Sequence, residues 1–348
     1  MNAPVAELTI KDFASDQEVR WCPGCGDYAI LKTVQKTLPE LGIAKENQVF
    51  VSGIGCSSRF PYYMDTYGFH TIHGRAPSFA TGIKLANPDL DVWVITGDGD
   101  GLSIGGYHMV HLLRRNVNLQ LLLFNNEIYG LTKGQYSPTS KVGTASPSTP
   151  HGSIDMPLKP CSFALGCGAK FVARSIDTEA KHLGPMLKRA HAHKGASFLE
   201  IYQNCPVYND GIFDQIKEKK TAAETRLVLE HGKPLTFGVD QSKGLRLNPK
   251  TLSLEIAVLG EGGIGIEDIV VHDETNKVLA QLLANLKLPD FPEPIGVIYC
   301  DPSEPDFTGE VYDQRVLVRE SKGEPDLNAL LRTAVSYTHL TLPTNREV

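Results

Sequence analysis

The chain has 348 residues, of which 41% are hydrophobic and 21% charged, a composition typical of a globular protein that buries a sizeable core. Its formal net charge of −6 gives no electrostatic reason to expect nucleic acid as a partner. No apolar run approaches the roughly 20 residues of a membrane helix, and the N-terminus lacks a secretory pattern. We therefore expect a soluble, cytoplasmic protein that binds neither nucleic acid nor a membrane.

The first part of the sequence alternates between strand-like and helix-like segments. Residues 27–42 have helical apolar spacing with Gly42 as the predicted stop, and residues 49–52 predict a buried strand that enters a glycine-rich turn. The next predictions are a helix over 75–90 broken at Pro88, a strand within 91–101, a helix over 102–116 and a strand within 117–130. This succession predicts an α/β fold with a doubly wound, mostly parallel sheet, in which ligands bind at the carboxyl ends of strands.

The chain changes character twice after this region. Residues 136–160 are rich in Ser, Thr, Pro and Gly and predict a functional loop or an ordered lid. Beyond about Asp214 the sequence is more charged, and GEGGIG at 260–265, after the apparent strand SLEIAVLG, predicts a glycine turn rather than a dinucleotide site. The predicted organisation is an N-terminal arm (1–20), a main cofactor-binding domain (21–215), a smaller C-terminal extension with subunit contacts (216–335) and a non-native tail (336–348).

An acidic glycine turn and an asparagine pair follow two successive predicted strands. Asp98 lies between glycines in TGDGDG, and Asn125 and Asn126 end NLQLLLF. Each pattern alone is common in ordinary turns. Together, at one edge of a parallel sheet, they offer the carboxylate and amide oxygens that Mg²⁺ takes alongside phosphate oxygens. The pair therefore indicates a diphosphate bound through Mg²⁺.

This combination of GDG and NN resembles the diphosphate motif of thiamine-diphosphate enzymes. The resemblance implies that Asp98, the Asn126 side chain and the Ile128 carbonyl hold Mg²⁺. The residues implied to line the cofactor are Gly99, Asp100, Gly130 and Leu131. Thiamine diphosphate supplies a nucleophilic carbon that attacks 2-oxo groups and stabilises the carbanion left by decarboxylation.

Four of the seven cysteines occur in glycine- or proline-rich turns. Cys22 and Cys25 lie in WCPGCG, Cys56 in GIGCSS and Cys205 in QNCPVYND. An odd number of cysteines spread over a long chain argues against a secreted disulfide framework. Four thiolates suit either zinc or an iron-sulfur cluster. Beside a thiamine site a structural zinc has no chemical task, whereas a cluster can carry away the electrons released by decarboxylation, so we favour the cluster.

Several segments together resemble the beta subunit of a 2-oxoacid:ferredoxin oxidoreductase, in particular of the 2-oxoglutarate type, over roughly residues 15–335. These segments are WCPGCGDYAIL, GIGCSSR, TIHGRAPSFATGIKLANP, TGDGDGLSIGG, FNNEIYGLTKGQYSPTS and CPVYND. The resemblance implies a 4Fe-4S cluster on Cys22, Cys25, Cys56 and Cys205. It implies thiamine contacts from Ile54, Gly55, Cys56, Ser57 and His73.

The same resemblance implies a reaction and partners. The expected activity is oxidative decarboxylation of 2-oxoglutarate to succinyl-CoA and CO2, with coenzyme A as acyl acceptor and ferredoxin as electron acceptor. The expected partner is an alpha subunit that completes the site, so the chain alone should be inactive. The alternatives are pyruvate or a broad range of 2-oxoacids as substrate, and a zinc-stabilised scaffold without activity.

Three side chains are predicted to act on the substrate. His73, in HTIHGR, is expected to donate a hydrogen bond or a proton near the reacting atoms, although a purely structural histidine is the alternative. Arg59 and Lys133 are cations near the expected site that could hold the substrate carboxylate. Lys133 is the preferred cation because GLTKGQ directly follows the cofactor loop. A solvated surface position is the alternative for each cation.

Overall fold

The computed structural model describes residues 8–303 and 305–332, so the predicted tail over 336–348 lies outside the described residues. The strands are β1 (Gln48–Ser52), β2 (Tyr67–His70), β3 (Asp91–Gly97), β4 (Leu119–Asn125), β5 (Ile128–Tyr129), β6 (Gln135–Tyr136), β7 (Phe171–Ile176), β8 (Ala196–Tyr202), β9 (Arg226–Leu229), β10 (Thr236–Phe237), β11 (Lys243–Asn248), β12 (Ser253–Val258) and β13 (Glu293–Cys300). The helices are α1 (Asp27–Thr37), α2 (Ala76–Ala86), α3 (Asp98–Leu102), α4 (Gly106–Arg115), α5 (Pro160–Gly166), α6 (Ala180–Ala192), α7 (Asp214–Lys217), α8 (Ala222–Thr225), α9 (Lys277–Ala284), α10 (Phe307–Lys322) and α11 (Leu327–Arg332).

The central feature is an eight-stranded sheet with the order β2-β1-β3-β4-β8-β7-β13-β9. Neighbouring strands run parallel except for β13 against β7. The central strands β3 and β4 are almost continuous apolar runs and are buried along nearly their whole length. Such runs are typical of parallel strands that are covered on both faces.

Alternate residues of the central strands belong to two apolar clusters. In β3, Val92 and Val94 lie in one cluster, whereas Trp93 and Ile95 lie in the other. Successive side chains of a strand point to opposite faces, so each cluster marks one face of the sheet. Residues of α2, α4, α5 and α9 join the first cluster, and residues of α1 and α6 join the second. This arrangement confirms the predicted doubly wound α/β fold.

Several predicted boundaries match the structure. Helix α1 passes into a 3₁₀ turn at Leu38–Leu41, and Gly42 ends it with a φ of 70°. Pro39 accounts for the change of helix type, because it has no backbone N–H. Helix α2 ends at Ala86, ahead of Pro88 as predicted. None of the described helices is long and apolar enough to span a membrane.

The segment after residue 215 contributes to two sheets. Its strands β9 and β13 join the edge of the main sheet, whereas β10, β11 and β12 form a separate antiparallel sheet. The predicted glycine turn at 260–265 follows β12, with Gly260 in the left-handed region, and it contains or precedes only two short 3₁₀ helices, Glu261–Gly263 and Ile266–Asp268, before α9 begins at Lys277. Since β12 belongs to an antiparallel sheet and no α-helix begins at the turn, the context of a dinucleotide motif is absent from this described stretch.

By its internal contacts the chain divides into two units, Met1–Thr308 and Gly309–Val348. The first unit contains the eight-stranded sheet, the three-stranded sheet and the two-stranded sheet of β5 and β6. The described part of the second unit contains most of α10 and all of α11.

Candidate active site

The carboxyl ends of β1, β3, β4 and β8 meet at one edge of the parallel sheet and enclose a cavity of about 310 Å³. Every residue predicted to contact thiamine or Mg²⁺ lines this cavity. These residues are Ile54, Gly55, Cys56, Ser57, His73, Asp98, Gly99, Asp100, Asn126, Ile128, Gly130 and Leu131. The structure therefore brings together in one place residues that are separated by up to 77 positions in the sequence.

Three groups that carry oxygen atoms line the cavity just after β3 and β4: the Asp98 carboxylate, the Asn126 amide and the Ile128 carbonyl. Asp98 is only 2% exposed, and its Oδ2 accepts a hydrogen bond from Thr139 Oγ1 at 2.6 Å. Burial raises the pKa of the Asp98 carboxyl, which is the expected behaviour of a buried acid without a cationic partner among the described residues. Asn126 Oδ1 accepts a hydrogen bond from the Ile128 N–H at 3.1 Å, which fixes the turn between β4 and β5. A carboxylate, an amide and a nearby backbone carbonyl form a donor set that fits Mg²⁺.

Asp100 ties the loops around the cavity together. Its Oδ1 accepts hydrogen bonds from the N–H groups of Ile54 at 3.2 Å and Gly74 at 2.7 Å, and its Oδ2 accepts one from Thr96 Oγ1 at 2.9 Å. A methyl group placed on Gly53 would lie 2.0 Å from Asp100 Oδ2. Glycine at this position is therefore needed for the carboxylate to approach the turn after β1.

The Gly99 backbone is covered by an aromatic ring. Tyr129 donates a hydrogen bond from its hydroxyl to the Gly99 carbonyl at 3.1 Å, and a methyl group placed on Gly99 would lie 2.2 Å from the ring carbon Cε1. The side chain of residue 129 thus occupies the space that any larger residue at position 99 would need. This close approach accounts for the glycine directly after Asp98.

The structure brings the four predicted cluster cysteines to the side of the cavity. A methyl group placed on Gly130 would lie 3.5 Å from Cys56 Sγ and 3.6 Å from Cys205 Sγ. Burial raises the pKa of Cys25, and the nearby Asp27 carboxylate and Cys56 and Cys205 thiolates raise it further. Burial raises the pKa of Cys56 to about 12, with Asp27, Cys205 and Cys22 contributing. Cys56 is therefore near each of the other three cysteines, Cys22, Cys25 and Cys205.

The loops that carry these cysteines also touch. Gly24, in the CPGC turn, lies against the ring of Pro206, and the Gly26 N–H donates a hydrogen bond to the Asn204 carbonyl at 3.1 Å. All seven cysteines are free, and Cys22 is exposed at the surface. Among residues 8–303 and 305–332, no three Cys, His, Asp or Glu side chains converge closely enough to hold a single metal ion.

The three predicted substrate contacts lie in different environments. His73 is exposed and lines the cavity. Arg59 does not line it: its Nε donates a hydrogen bond to the Tyr63 hydroxyl at 2.8 Å, and its guanidinium lies over the rings of Tyr62 and Tyr63. Lys133 is exposed just beyond the lining residues, in a turn where its φ is 72°.

Sequence reasoning missed several lining and supporting residues. The missed residues are Gly97, Ser103, Ile104, Phe124, Tyr129, Thr132, Thr139 and Gln203. Gln203 directly follows β8, so the rule that ligands gather at strand ends would have found it. Thr139 lies within the Ser/Thr-rich loop, and no local pattern indicates that this loop folds back onto β3.

Comparison with known proteins supports these observations. Residues 53–201 match the family model described as thiamine pyrophosphate enzyme, C-terminal TPP binding domain. These residues span the cavity-forming strand ends up to β8, and the match confirms the thiamine-diphosphate-binding module predicted from the GDG and NN turns.

Similar proteins cover between about half and nearly all of the chain. A protein of Mycobacterium tuberculosis named 2-oxoglutarate oxidoreductase subunit KorB is 49% identical over 333 residues, which is 94% of this chain and 88% of that protein. A 2-oxoacid:ferredoxin oxidoreductase subunit beta of Saccharolobus solfataricus is 48% identical over 192 residues, or 55% of this chain and 63% of that protein.

A solved structure is also similar. It is the 2-oxoglutarate:ferredoxin oxidoreductase from Magnetococcus marinus with 2-oxoglutarate, coenzyme A and succinyl-CoA bound. The match has a TM-score of 0.73 and 34% sequence identity, and it covers 95% of this chain and 97% of that one. With these similarities in both sequence and fold, the chain belongs to the beta subunits of the 2-oxoacid:ferredoxin oxidoreductase family.

Proposed function

We propose that this chain is the beta subunit of a 2-oxoglutarate:ferredoxin oxidoreductase. The observation that carries the proposal is a cavity at the strand edge that is lined by Asp98, Asn126 and Cys56, with the other three predicted cluster cysteines near Cys56. A thiamine site and an electron-accepting site in one place are what oxidative decarboxylation of a 2-oxoacid requires. In the overall reaction, 2-oxoglutarate, coenzyme A and two oxidised ferredoxins give succinyl-CoA, CO2, two reduced ferredoxins and a proton.

Different residues of the cavity would bind Mg²⁺ and thiamine diphosphate. Asp98, the Asn126 side chain and the Ile128 carbonyl would hold Mg²⁺, and Gly99 and Gly130, which line the cavity, would contact the cofactor. When bound, the cofactor supplies the nucleophilic carbon and the electron sink for decarboxylation. Asp100 would act mainly on the protein, because its carboxylate already accepts three hydrogen bonds from the surrounding loops.

The four cysteines fit a 4Fe-4S cluster. Cys22, Cys25, Cys56 and Cys205 come from three loops that touch one another, and Cys56 also lines the cofactor cavity. Such clusters are held by four thiolates. The position of Cys56 would place electron acceptor and cofactor side by side. The free state of the cysteines fits a reducing cytoplasm, where we place the protein.

His73, Lys133 and Arg59 would contribute to the substrate side of the site. His73 is exposed at the cavity wall and would donate a hydrogen bond or proton to the reacting 2-oxoacid. Lys133 is next to the lining residues and would attract the substrate carboxylates. Arg59 is held by Tyr63 and would act from outside the cavity, by adding positive charge to its entrance.

The remaining parts of the enzyme would come from partners. The thiamine-binding module that matches this chain is of the C-terminal type. An alpha subunit would therefore supply the rest of the cofactor and substrate site, and ferredoxin would receive the electrons. The names of the Mycobacterium tuberculosis relative and of the Magnetococcus marinus structure favour 2-oxoglutarate over pyruvate as the substrate.

The proposal is tested with the co-purified alpha-beta complex under anaerobic conditions. Ferredoxin reduction should require both a 2-oxoacid and coenzyme A, and should be faster with 2-oxoglutarate than with pyruvate. Asp98→Ala should abolish it, whereas Asp89→Ala, a change at an exposed aspartate, should not. Ferredoxin reduction that is faster with pyruvate would change the substrate assignment, and a complex without any 2-oxoacid-dependent reduction would refute the proposed activity.

A further inference from the structure

Gln203 lies between the predicted magnesium site and the predicted cluster. It is the first residue after β8, is only 1% exposed and lines the cofactor cavity. Its Oε1 accepts a hydrogen bond from Asn126 Nδ2 at 2.8 Å, and its Nε2 donates to Cys25 Sγ at 3.2 Å and to the Asn204 carbonyl at 2.6 Å. One buried amide thus touches a proposed ligand of each metal centre.

We infer that Gln203 is a positioning residue that acts on both centres: it orients Asn126 toward Mg²⁺ and donates a hydrogen bond to the Cys25 thiolate of the cluster. This inference rests on the proposed function, because it assumes that both metal centres are present. One side chain would then affect both the binding of the cofactor and the reduction potential of the electron acceptor.

The direction of this hydrogen-bond chain is set at both ends by the backbone. At one end the Ile128 N–H can only donate, so Asn126 must turn its oxygen toward it and its NH2 group toward Gln203. At the other end the Asn204 carbonyl can only accept, so Gln203 must turn its NH2 group toward it. The second N–H of that NH2 group then points at Cys25.

The position of Gln203 follows from the order of the strands. Strands β4 and β8 are parallel neighbours, and the Gln203 N–H continues their pairing by donating to the Asn125 carbonyl at 2.9 Å. The residue after β8 therefore lies beside the residue after β4, which is Asn126. The CPGC turn reaches the same place because the Gly26 N–H bonds to the Asn204 carbonyl.

At the magnesium site, Gln203 affects the orientation of the Asn126 amide. Without a partner for its NH2 group, the Asn126 amide is held only by the Ile128 N–H, so its oxygen is fixed less firmly toward the ion. Side chains that orient metal ligands typically contribute 10- to 100-fold to metal affinity, so a loss of about 10-fold or more is expected without Gln203.

At the cluster, the hydrogen bond from Gln203 to Cys25 affects the reduction potential. Reduction adds negative charge, and a hydrogen bond donated to a thiolate ligand stabilises that charge. Hydrogen bonds to the sulfurs and burial are among the factors that set cluster potentials. Removing the N–H of residue 203 should therefore make the cluster harder to reduce.

Two substitutions separate these effects. Gln203→Met keeps the length of the side chain but removes both hydrogen-bonding groups. Gln203→Glu keeps an oxygen for Asn126 but removes the N–H that faces Cys25. Gln35→Met is the matched control, since Gln35 is also buried and its Nε2 donates to the Tyr63 carbonyl at 3.0 Å, away from the cavity.

The test uses the anaerobic alpha-beta complex and two measurements that do not depend on turnover. The first is the midpoint potential of the cluster, from a redox titration followed by electron paramagnetic resonance. The second is the Kd of thiamine diphosphate at several Mg²⁺ concentrations. We expect Gln203→Met to shift the potential to a more negative value and to raise the Kd about 10-fold or more. Gln203→Glu should shift the potential with a smaller change in Kd, and Gln35→Met should change neither.

The outcomes distinguish the inference from the proposed function. A wild-type complex in which the Cys22, Cys25, Cys56 and Cys205 site holds no iron would refute the proposed cluster and this inference with it. If the wild-type complex holds the cluster but Gln203→Met has the potential or the Kd of Gln35→Met, the inference alone is overturned. The same conclusion follows if Gln203→Glu leaves the potential unchanged.

Discussion

Thr139 donates a hydrogen bond to Oδ2 of Asp98 across 2.6 Å, and both side chains are buried. The contact ties the Ser/Thr-rich loop to the carboxyl end of β3. A second contact holds the same loop, because the Ser140 hydroxyl donates a hydrogen bond to the Glu127 carbonyl. The loop is therefore part of the proposed magnesium site, where it fixes the orientation of the Asp98 carboxylate.

Removal of the Thr139 hydroxyl should weaken cofactor binding. Thr139→Val keeps the shape of the side chain but leaves Asp98 Oδ2 without its donor, so we expect the Mg²⁺-dependent affinity for thiamine diphosphate to fall about 10-fold or more. Thr139→Ser should retain most of the affinity. Calorimetric titration of the complex measures both, with Thr144→Val as control, a change at a half-buried position of the same loop whose hydroxyl donates to the Lys141 carbonyl. Equal affinities in Thr139→Val and Thr144→Val would contradict the assigned role.

The contact between Gly99 and Tyr129 predicts a steric effect. Gly99→Ala should displace the Tyr129 ring or helix α3, because the new methyl group would lie 2.2 Å from the ring. We expect lower affinity for thiamine diphosphate and a lower Tm. Adding Tyr129→Ala to Gly99→Ala should recover part of the affinity, since it removes the clash. Gly106→Ala is the control, because a methyl group there meets no atom within 4 Å. A Gly99→Ala variant that binds like Gly106→Ala would refute the prediction.

Replacement of Arg174 should lower the stability of the fold by a large amount. It is 2% exposed and pairs with two buried carboxylates, with its Nε 2.7 Å from Glu200 and its Nη1 2.7 Å from Glu293. Arg174→Met would leave both acids without a counter-charge, which costs about 3–5 kcal/mol of unfolding free energy. Arg246→Met removes the exposed pair with Glu255 and should cost no more than about 1 kcal/mol. Urea unfolding measures both, and similar costs for the two variants would contradict this account.

His193 predicts a loss of stability in acid. It is 6% exposed, neither ring nitrogen has a hydrogen-bond partner among the described residues, and burial lowers its pKa to about 4 although Asp301 opposes the shift. The unfolded chain takes up this proton near its ordinary pKa of 6.5, before the folded chain does. Stability should therefore fall as the pH drops from about 7 to about 4, by up to about 3 kcal/mol from this residue.

The variant His193→Leu should flatten that part of the stability profile. Urea unfolding free energies of the variant and the wild type, measured across this pH range, provide the test. His151→Leu, which changes an exposed histidine, serves as the control and should keep the wild-type slope. An unchanged slope in His193→Leu would show that the histidine takes up its proton equally in both states.

The strand-end motifs could be predicted because each lies within a few residues of an apolar run. Asp98 and Asn126 follow β3 and β4, which are neighbours in both the sequence and the sheet, so their meeting follows from parallel pairing alone. The family and the thiamine module also followed from these local motifs. The roles of individual residues stay predictions until the substitutions above are measured.

The position of Gln203 and the places of β9 and β13 could not be predicted, because they depend on contacts between segments that are far apart in the sequence. Strand β8 pairs with β4 although β7 comes between them in the sequence, so the position of Gln203 beside Asn126 requires the sheet order. The places of β9 and β13, which belong to the charged C-terminal segment and complete the sheet, also require knowledge of the sheet order. Hydrophobic periodicity indicates that a strand is buried, but it does not identify its neighbours.

The proposed function requires this chain to hold thiamine diphosphate and a 4Fe-4S cluster side by side. Its most direct test is to add 2-oxoglutarate to the oxidised, anaerobic alpha-beta complex and to follow the visible absorbance of the cluster near about 400 nm. We expect 2-oxoglutarate to bleach this absorbance in the wild type, and we expect no bleaching in Asp98→Ala or Cys205→Ser. A colourless complex that contains zinc instead of iron, or a cluster absorbance that 2-oxoglutarate leaves unchanged, would contradict the proposed function.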